Sequence, residues 1–201
     1  MVSRNHFSQR EVCHKSQERK KKVIAVKEVR SKEVDGSSAS IGLLVSILVR
    51  YPEICTVSYT PDAKMLGFSF MVSRRLEDDE VQGFRSRALD SISVYLDLLK
   101  FGEMLVAEVS ATYLGSVTQI QVTRDVATLT GDEISLLIGL IIDAFDDDLV
   151  TDRSEDLEEE EMIVQEEFIA NLLVDLKETT QEKRLIGFRE GGRVIVYNRP
   201  A

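Results

Sequence analysis

The chain has 201 residues and a formal net charge of −10, and its 43% hydrophobic and 30% charged residues exclude a wholly disordered polypeptide. That length supports one well-filled domain with extensions, or two small ones, and the lack of Trp with only 6% aromatics leaves Leu, Ile, Val and Met to build the core. Two cysteines, Cys13 and Cys55, make no disulfide framework. The polar start from Met1 to His6 offers no apolar signal segment, and the apolar run Ile41 to Val49 is far too short to span a bilayer. The expectation is a cytoplasmic protein that engages no membrane.

Residues 1–35 form a basic N-terminal tail. Its first 32 residues hold ten Lys/Arg against three Glu, and Arg19, Lys20, Lys21 and Lys22 are the candidates for nucleic-acid contact through phosphates. The alternative target for such a tail is the protein's own acidic segment.

Residues 36–150 read as a core domain of helix, hairpin, helix, hairpin, helix. Ile41, Leu44, Val45 and Leu48 recur at helical spacing, and Pro52 should stop that helix near Tyr51. Cys55, Val57 and Tyr59, then Leu66, Phe68, Phe70 and Val72, alternate as the dry side of a hairpin turned at Pro61 to Lys64, with Cys55 read as a small core residue. A helix follows from Glu77 to Lys100, striped by Val81, Phe84, Ala88, Ile92, Tyr95, Leu96 and Leu99, with Gly102 as its expected C-terminal cap. The second hairpin runs through Val109, Gly115-Ser116, Ile120 and Val122. Thr130 and Glu133 then form a capping-box pattern ahead of Ile134, Leu137, Ile138, Ile141 and Phe145.

Residues 151–201 read as an acidic linker, a long helix reaching Lys177 and a final hairpin from Leu185 to Tyr197. The expected apolar stripe of that helix is Met162, Ile169, Leu172, Leu173 and Leu176.

The halves of the core match at an offset of about 50 residues. Val72-Ser73-Arg74 falls on Val122-Thr123-Arg124, and Asp79-Glu80-Val81 on Asp132-Glu133-Ile134. The fold class expected is α+β: a duplicated ββα unit forming a four-stranded antiparallel sheet with helices on one face, plus the C-terminal helix and hairpin.

Catalytic chemistry has little to stand on. His6 and His14 lie in the tail, where nothing sets a base against a nucleophile. Cys13, His14 and His6 fall short of the paired four-ligand spacing of a zinc site. Asp146-Asp147-Asp148 at a helix end oppose the dipole, which a divalent cation, the basic tail or plain solvation would answer; a metal-dependent enzyme using residues 146–161 is the least favoured class. No catalytic residue, cofactor or metal ligand is assigned. The polar sheet face, with Thr56, Ser58, Ser69, Glu108, Ser110, Thr112, Gln119 and Gln121, lacks the aromatic and basic residues of a single-strand reader. Leu136, Leu140 and Ile142 widen the apolar face of the helix at 134–145 beyond its main stripe. They are the candidate interaction surface, and Gly139 would permit close approach.

Tyr113 to Leu137, especially Ile120-Gln121-Val122 leading to Leu129-Thr130-Gly131-Asp132-Glu133-Ile134, resembles the type III secretion chaperone-like fold, within it the YbjN-type bacterial family, over residues 38–150. The resemblance implies a non-enzymatic, often dimeric binding protein. A binding, adaptor or chaperone-like protein with a protein partner or a homodimer is therefore expected, with a nucleic-acid-associated factor as the alternative.

Overall fold

The computed structural model describes residues 36–101, 106–151, 159–178 and 183–198. Helix α1 (Gly36–Arg50) stops one residue before Tyr51, where Pro52 disfavours helical backbone. Strands β1 (Thr56–Thr60) and β2 (Met65–Val72) follow, joined through Pro61 to Lys64, and then helix α2 (Asp78–Leu99). The carboxylate of Glu80 accepts the Glu77 amide at 2.9 Å, which satisfies one donor the helix start leaves unpaired. At the other end Lys100 takes the left-handed conformation, with φ 57°; the expected cap, Gly102, lies outside the described residues. Strands β3 (Ala107–Leu114) and β4 (Val117–Asp125) repeat the hairpin, and helix α3 (Gly131–Phe145) repeats the helix. A 3-10 turn at Asp146–Asp148, helix α4 (Glu159–Glu178) and strands β5 (Leu185–Glu190) and β6 (Arg193–Asn198) complete the order.

The fold is α+β, and its sheet has six antiparallel strands in the order β3-β4-β2-β1-β5-β6. The expectation of four strands is corrected here. The C-terminal hairpin adds to the sheet because β5 pairs with β1, Val57 opposite Gly187 and Tyr59 opposite Leu185. Local periodicity reads a strand but not its partner, and these partners are separated by more than a hundred residues.

Side chains divide as the alternation predicts. Val57, Tyr59, Leu66, Phe68, Phe70, Val72, Val109, Ile120 and Val122 are buried on one face, and the helices cover that face. Helix α1 lies against β1, β5 and β6 and along α4, α2 lies over β3, and α3 adjoins α2 and α4. Gly187 lets α1 approach closely, since a Cβ there would stand 2.9 Å from Leu48 Cδ1 and 3.5 Å from Leu44 Cβ. Val81, Phe84, Ala88, Ile92 and Leu96 bury the α2 stripe, each large side chain contributing about 1.5–3 kcal/mol against exposure.

Residues 148–150 run beside β2 beyond the end of β1. Ser73 donates its amide to the Asp148 carbonyl at 2.7 Å, and Val150 to that of Met71 at 2.8 Å. The acidic turn is thus stitched to the sheet.

Candidate functional site

The dry stripe of β4 ends on a charge. Arg124 continues the alternation of Ile120 and Val122, so its guanidinium is driven inward, where it is fully buried. All five of its N–H donors are used. Nε and Nη2 reach Glu133 at 2.5 and 3.1 Å, Nη1 reaches Asp125 at 2.5 Å and the Val106 carbonyl, and Nη2 reaches Thr128 at 2.9 Å. Burial would raise the Asp125 carboxyl, but hydrogen bonds from Thr128 and the Val106 amide, with the Arg124 charge, hold it below the usual carboxylate range. The expected capping box at this helix is half formed. Thr130 Oγ1 accepts the Glu133 amide at 3.1 Å, whereas the Glu133 carboxylate turns inward to Arg124. With every donor matched, the cluster holds β4 to α3 and leaves no group for a ligand.

Arg74 makes the matching contact at the end of β2. Its Nη1 and Nη2 reach Glu80 at 2.9 and 2.7 Å, and its Nε reaches Asp148 at 2.6 Å. The hydrogen bond from Arg74, then that from the Glu77 amide, lowers the Glu80 carboxyl to about 2. Arg74 therefore answers the last carboxylate of the Asp146 to Asp148 run. Among the described residues no group of three or more His, Cys, Asp and Glu is placed to hold a metal ion.

A shallow groove of about 150 Å³ opens where α1 ends and α3 begins, lined by Tyr51, Thr130, Gly131, Ser135, Glu166 and Ile169 among others. The Tyr51 and Ser135 hydroxyls bond at 2.7 Å, and Arg50 pairs with Glu166 at 2.6 Å. Burial raises the Tyr51 phenol, so it is neutral at ordinary pH and cannot serve as a base toward Ser135. The groove is small, and the Tyr51, Ser135 and Glu166 side chains that line it are already bonded.

The sequence-predicted interaction residues do not form one patch. Leu136, Leu140 and Ile142 are each half-buried, and Leu140 and Ile142 pack on the core. Their helical positions set Leu136 and Leu140 on one flank of α3 and Ile142 on the other. Between those flanks lie exposed Asp132, Ser135, Gly139 and Asp143, and nothing stands within 4 Å of a Cβ built on Gly139. Arg19, Lys20, Lys21 and Lys22, with Cys13, His6 and His14, fall outside the described residues. Cys55 is half-buried just before β1.

The polar sheet face carries the residues expected, but the added hairpin changes its edge. Pairing of Ser58 with Ile186 and of Thr56 with Phe188 places those side chains, and Ile195 and Tyr197 opposite them, on the same open face. Phe188 and Tyr197 meet edge-on at 5.7 Å. The face is not free of aromatics, contrary to the expectation.

The largest apolar exposure lies on helices. On α4, Ile163 is 57% exposed, Val164 61%, Phe168 38% and Val174 54%. Ile163 and Val174 lie to one side of the exposed face of α4 and Val164 and Phe168 to the other, with exposed Glu160, Glu167, Asn171 and Glu178 between them, opposite buried Ile169, Leu172, Leu173 and Leu176. Val94, Leu98, Leu99 and Phe101 are likewise exposed at the end of α2. The sequence signal was present, since these residues sit off the expected α4 stripe just as Leu136 sits off that of α3.

Comparison with known proteins finds no matching family model, no similar curated protein and no similar solved structure. No helix among the described residues is long and apolar enough to cross a membrane.

Proposed function

We propose that this chain is a protein-binding, adaptor-type module that self-associates through the outer face of α4. The observation that carries the reading is the row of Ile163, Val164, Phe168 and Val174 on that face. Single exposed apolar residues are ordinary on a protein surface, but Ile163, Val164 and Phe168 lie within two turns of one helix, flanking exposed Glu160 and Glu167, with Val174 further along. An antiparallel pair of such helices would bury these side chains from both copies. The resemblance to the YbjN-type family supports the same class of function.

We further infer that the core unit is a duplication. Arg74 to Glu80 and Arg124 to Glu133 are bidentate pairs at corresponding sequence positions, each from a strand end to the third residue of the next helix. The central pairing of β2 with β4, each flanked by its own hairpin partner, supports a two-fold relation between the units.

Light scattering in about 1 M salt, where the Debye length falls to about 3 Å, isolates the apolar contact from charge effects. A dimer is expected at micromolar concentration, with the variant I163E/F168E monomeric and unchanged in circular dichroism. A wild-type chain that stays monomeric there, or a variant that still dimerises, ends the self-association reading.

A further inference from the structure

Strand β3 forms one edge of the sheet, and the hydrogen bond at its start fixes which way its backbone groups point. The Asp125 amide donates to the Val106 carbonyl at 3.2 Å, in register with the β3–β4 ladder, so Glu108, Ser110, Thr112 and Leu114 turn their backbone groups toward β4. Ala107, Val109, Ala111 and Tyr113 therefore turn theirs outward, where no described strand pairs with them. We propose that this edge takes an extended segment of a partner protein as an added strand, with alternate large apolar side chains beneath α2 and a carboxylate against Arg85. The inference rests on the reading of the chain as a protein-binding module, and names a partner class and a second surface for it.

The edge has a roof. Helix α2 lies over β3, and the Tyr113 hydroxyl donates to Asp78 Oδ1 at 2.9 Å near the helix start. Arg85 and Leu89 follow Asp78 by about two and about three turns, so they lie on the same side of the helix. They stand about 10 and 16 Å along the axis from Asp78, against about 20 Å of strand from Tyr113 to Ala107. Leu89, Ala107 and Ala111 are partly buried at the rim of the core. The two alanines are small, so larger side chains opposite them on an added strand would pack beside Leu89. Arg85 is exposed and has no carboxylate partner among the described residues.

The strand also lacks the devices that guard an edge. Its eight residues include no Pro, Lys, Arg or Gly, and its register with β4 runs from Ala107 to Leu114 without a bulge. At the other edge β6 has six residues and opens on Arg193. A second copy of this chain does not fit beside β3. Paired strands lie about 4.8 Å apart, whereas packed helices need about 8–10 Å between axes, so two α2 helices over two joined β3 strands would collide. A segment with no helix above it meets no such conflict.

The test uses the full chain and a short acetylated peptide that alternates Leu and Glu on one face with Thr on the other. A scrambled peptide of the same composition is the control. Saturable binding is expected, with slowed hydrogen exchange at the amides of Ala107, Val109, Ala111 and Tyr113 and little change at Glu108, Ser110 and Thr112. A111P removes an outward amide that β4 does not use, and should abolish binding with circular dichroism unchanged. R85E should weaken binding about threefold to fivefold. If A111P unfolds the chain, the amide pattern in the wild type and the R85E affinity decide. Outward amides already protected before peptide is added, no saturation at millimolar peptide, or equal binding of the scrambled peptide would overturn the proposal. So would a folded A111P that binds as tightly as wild type, or an R85E affinity equal to wild type. A chain that stays monomeric in high salt yet shows the amide pattern keeps the edge site and loses the self-association reading. A chain that dimerises but does not bind the peptide does the reverse.

Discussion

Arg124 shows how one side chain ties a strand to a helix. Placing a guanidinium in the interior is costly, and the structure offsets this with two carboxylates, a hydroxyl and a carbonyl. R124M keeps most of the volume and strands Glu133, fully buried, beside Asp125. The loss expected at neutral pH is about 3–5 kcal/mol, the usual size for breaking a buried pair. In the wild type the Asp125 carboxyl is held low, so its contribution is present above its unfolded value and is lost as pH falls through the folded one. Without Arg124 the Asp125 carboxyl loses the cation that helps hold it low, so that part of its contribution is absent from the variant at neutral pH. The deficit of R124M should therefore narrow as pH falls below about 4, the unfolded Asp value, read as urea midpoints at each pH. A deficit independent of pH would mean that lost packing, not stranded charge, is the cause.

At the scale of elements, periodicity made most of the fold legible. The two hairpins and the stripes of α1, α2 and α3 depend on neighbours in sequence, which is what alternation and 3.6-residue spacing report. The inward Arg124 went unread, although the signal was there, because it falls in phase with Ile120 and Val122. Pairing of β1 with β5 was not legible, since no local pattern encodes a partner 130 residues away. The α4 surface was half legible: four of the five residues read as its stripe are buried and Met162 is half-buried, whereas apolar residues off a stripe are half-buried on α3 and openly exposed on α4. Only the arrangement of neighbouring helices separates those outcomes. Gly187 and Gly67 test the element packing from opposite faces of the same sheet. G187A places a methyl group 2.9 Å from Leu48 Cδ1 and 3.3 Å from Val196 Cγ2 in the filled interior, and should cost about 1–3 kcal/mol by overpacking. G67A meets Ser58 Oγ at 2.7 Å and Gln121 Nε2 at 3.2 Å, polar side-chain ends on the sheet's other face that can turn aside, and should cost less than G187A. Equal costs in thermal unfolding would show that α1 does not depend on close approach at β5.

Across the whole molecule, the β5–β6 hairpin decides whether the chain behaves as one cooperative unit. It comes last in sequence, yet it covers the open edge of β1 and faces α1, whose Leu44 and Leu48 lie over Gly187. Removing it would expose the β1 edge and uncover that side of α1 together, and α1 in turn supports α4 along its length. Truncation after Glu178 should therefore weaken α1 and α4 as well as the lost strands. The expected signs are a lower urea midpoint, a reduced m-value from a less compact native state, and binding of a hydrophobic dye. Hydrogen exchange locates the effect: amides of β1, α1 and α4 should lose protection, while those of β3, β4 and α2, at the far edge, keep more of theirs. If the truncated chain keeps the wild-type midpoint and protection, the hairpin is an appendage and the first four strands with their helices are sufficient to hold the fold.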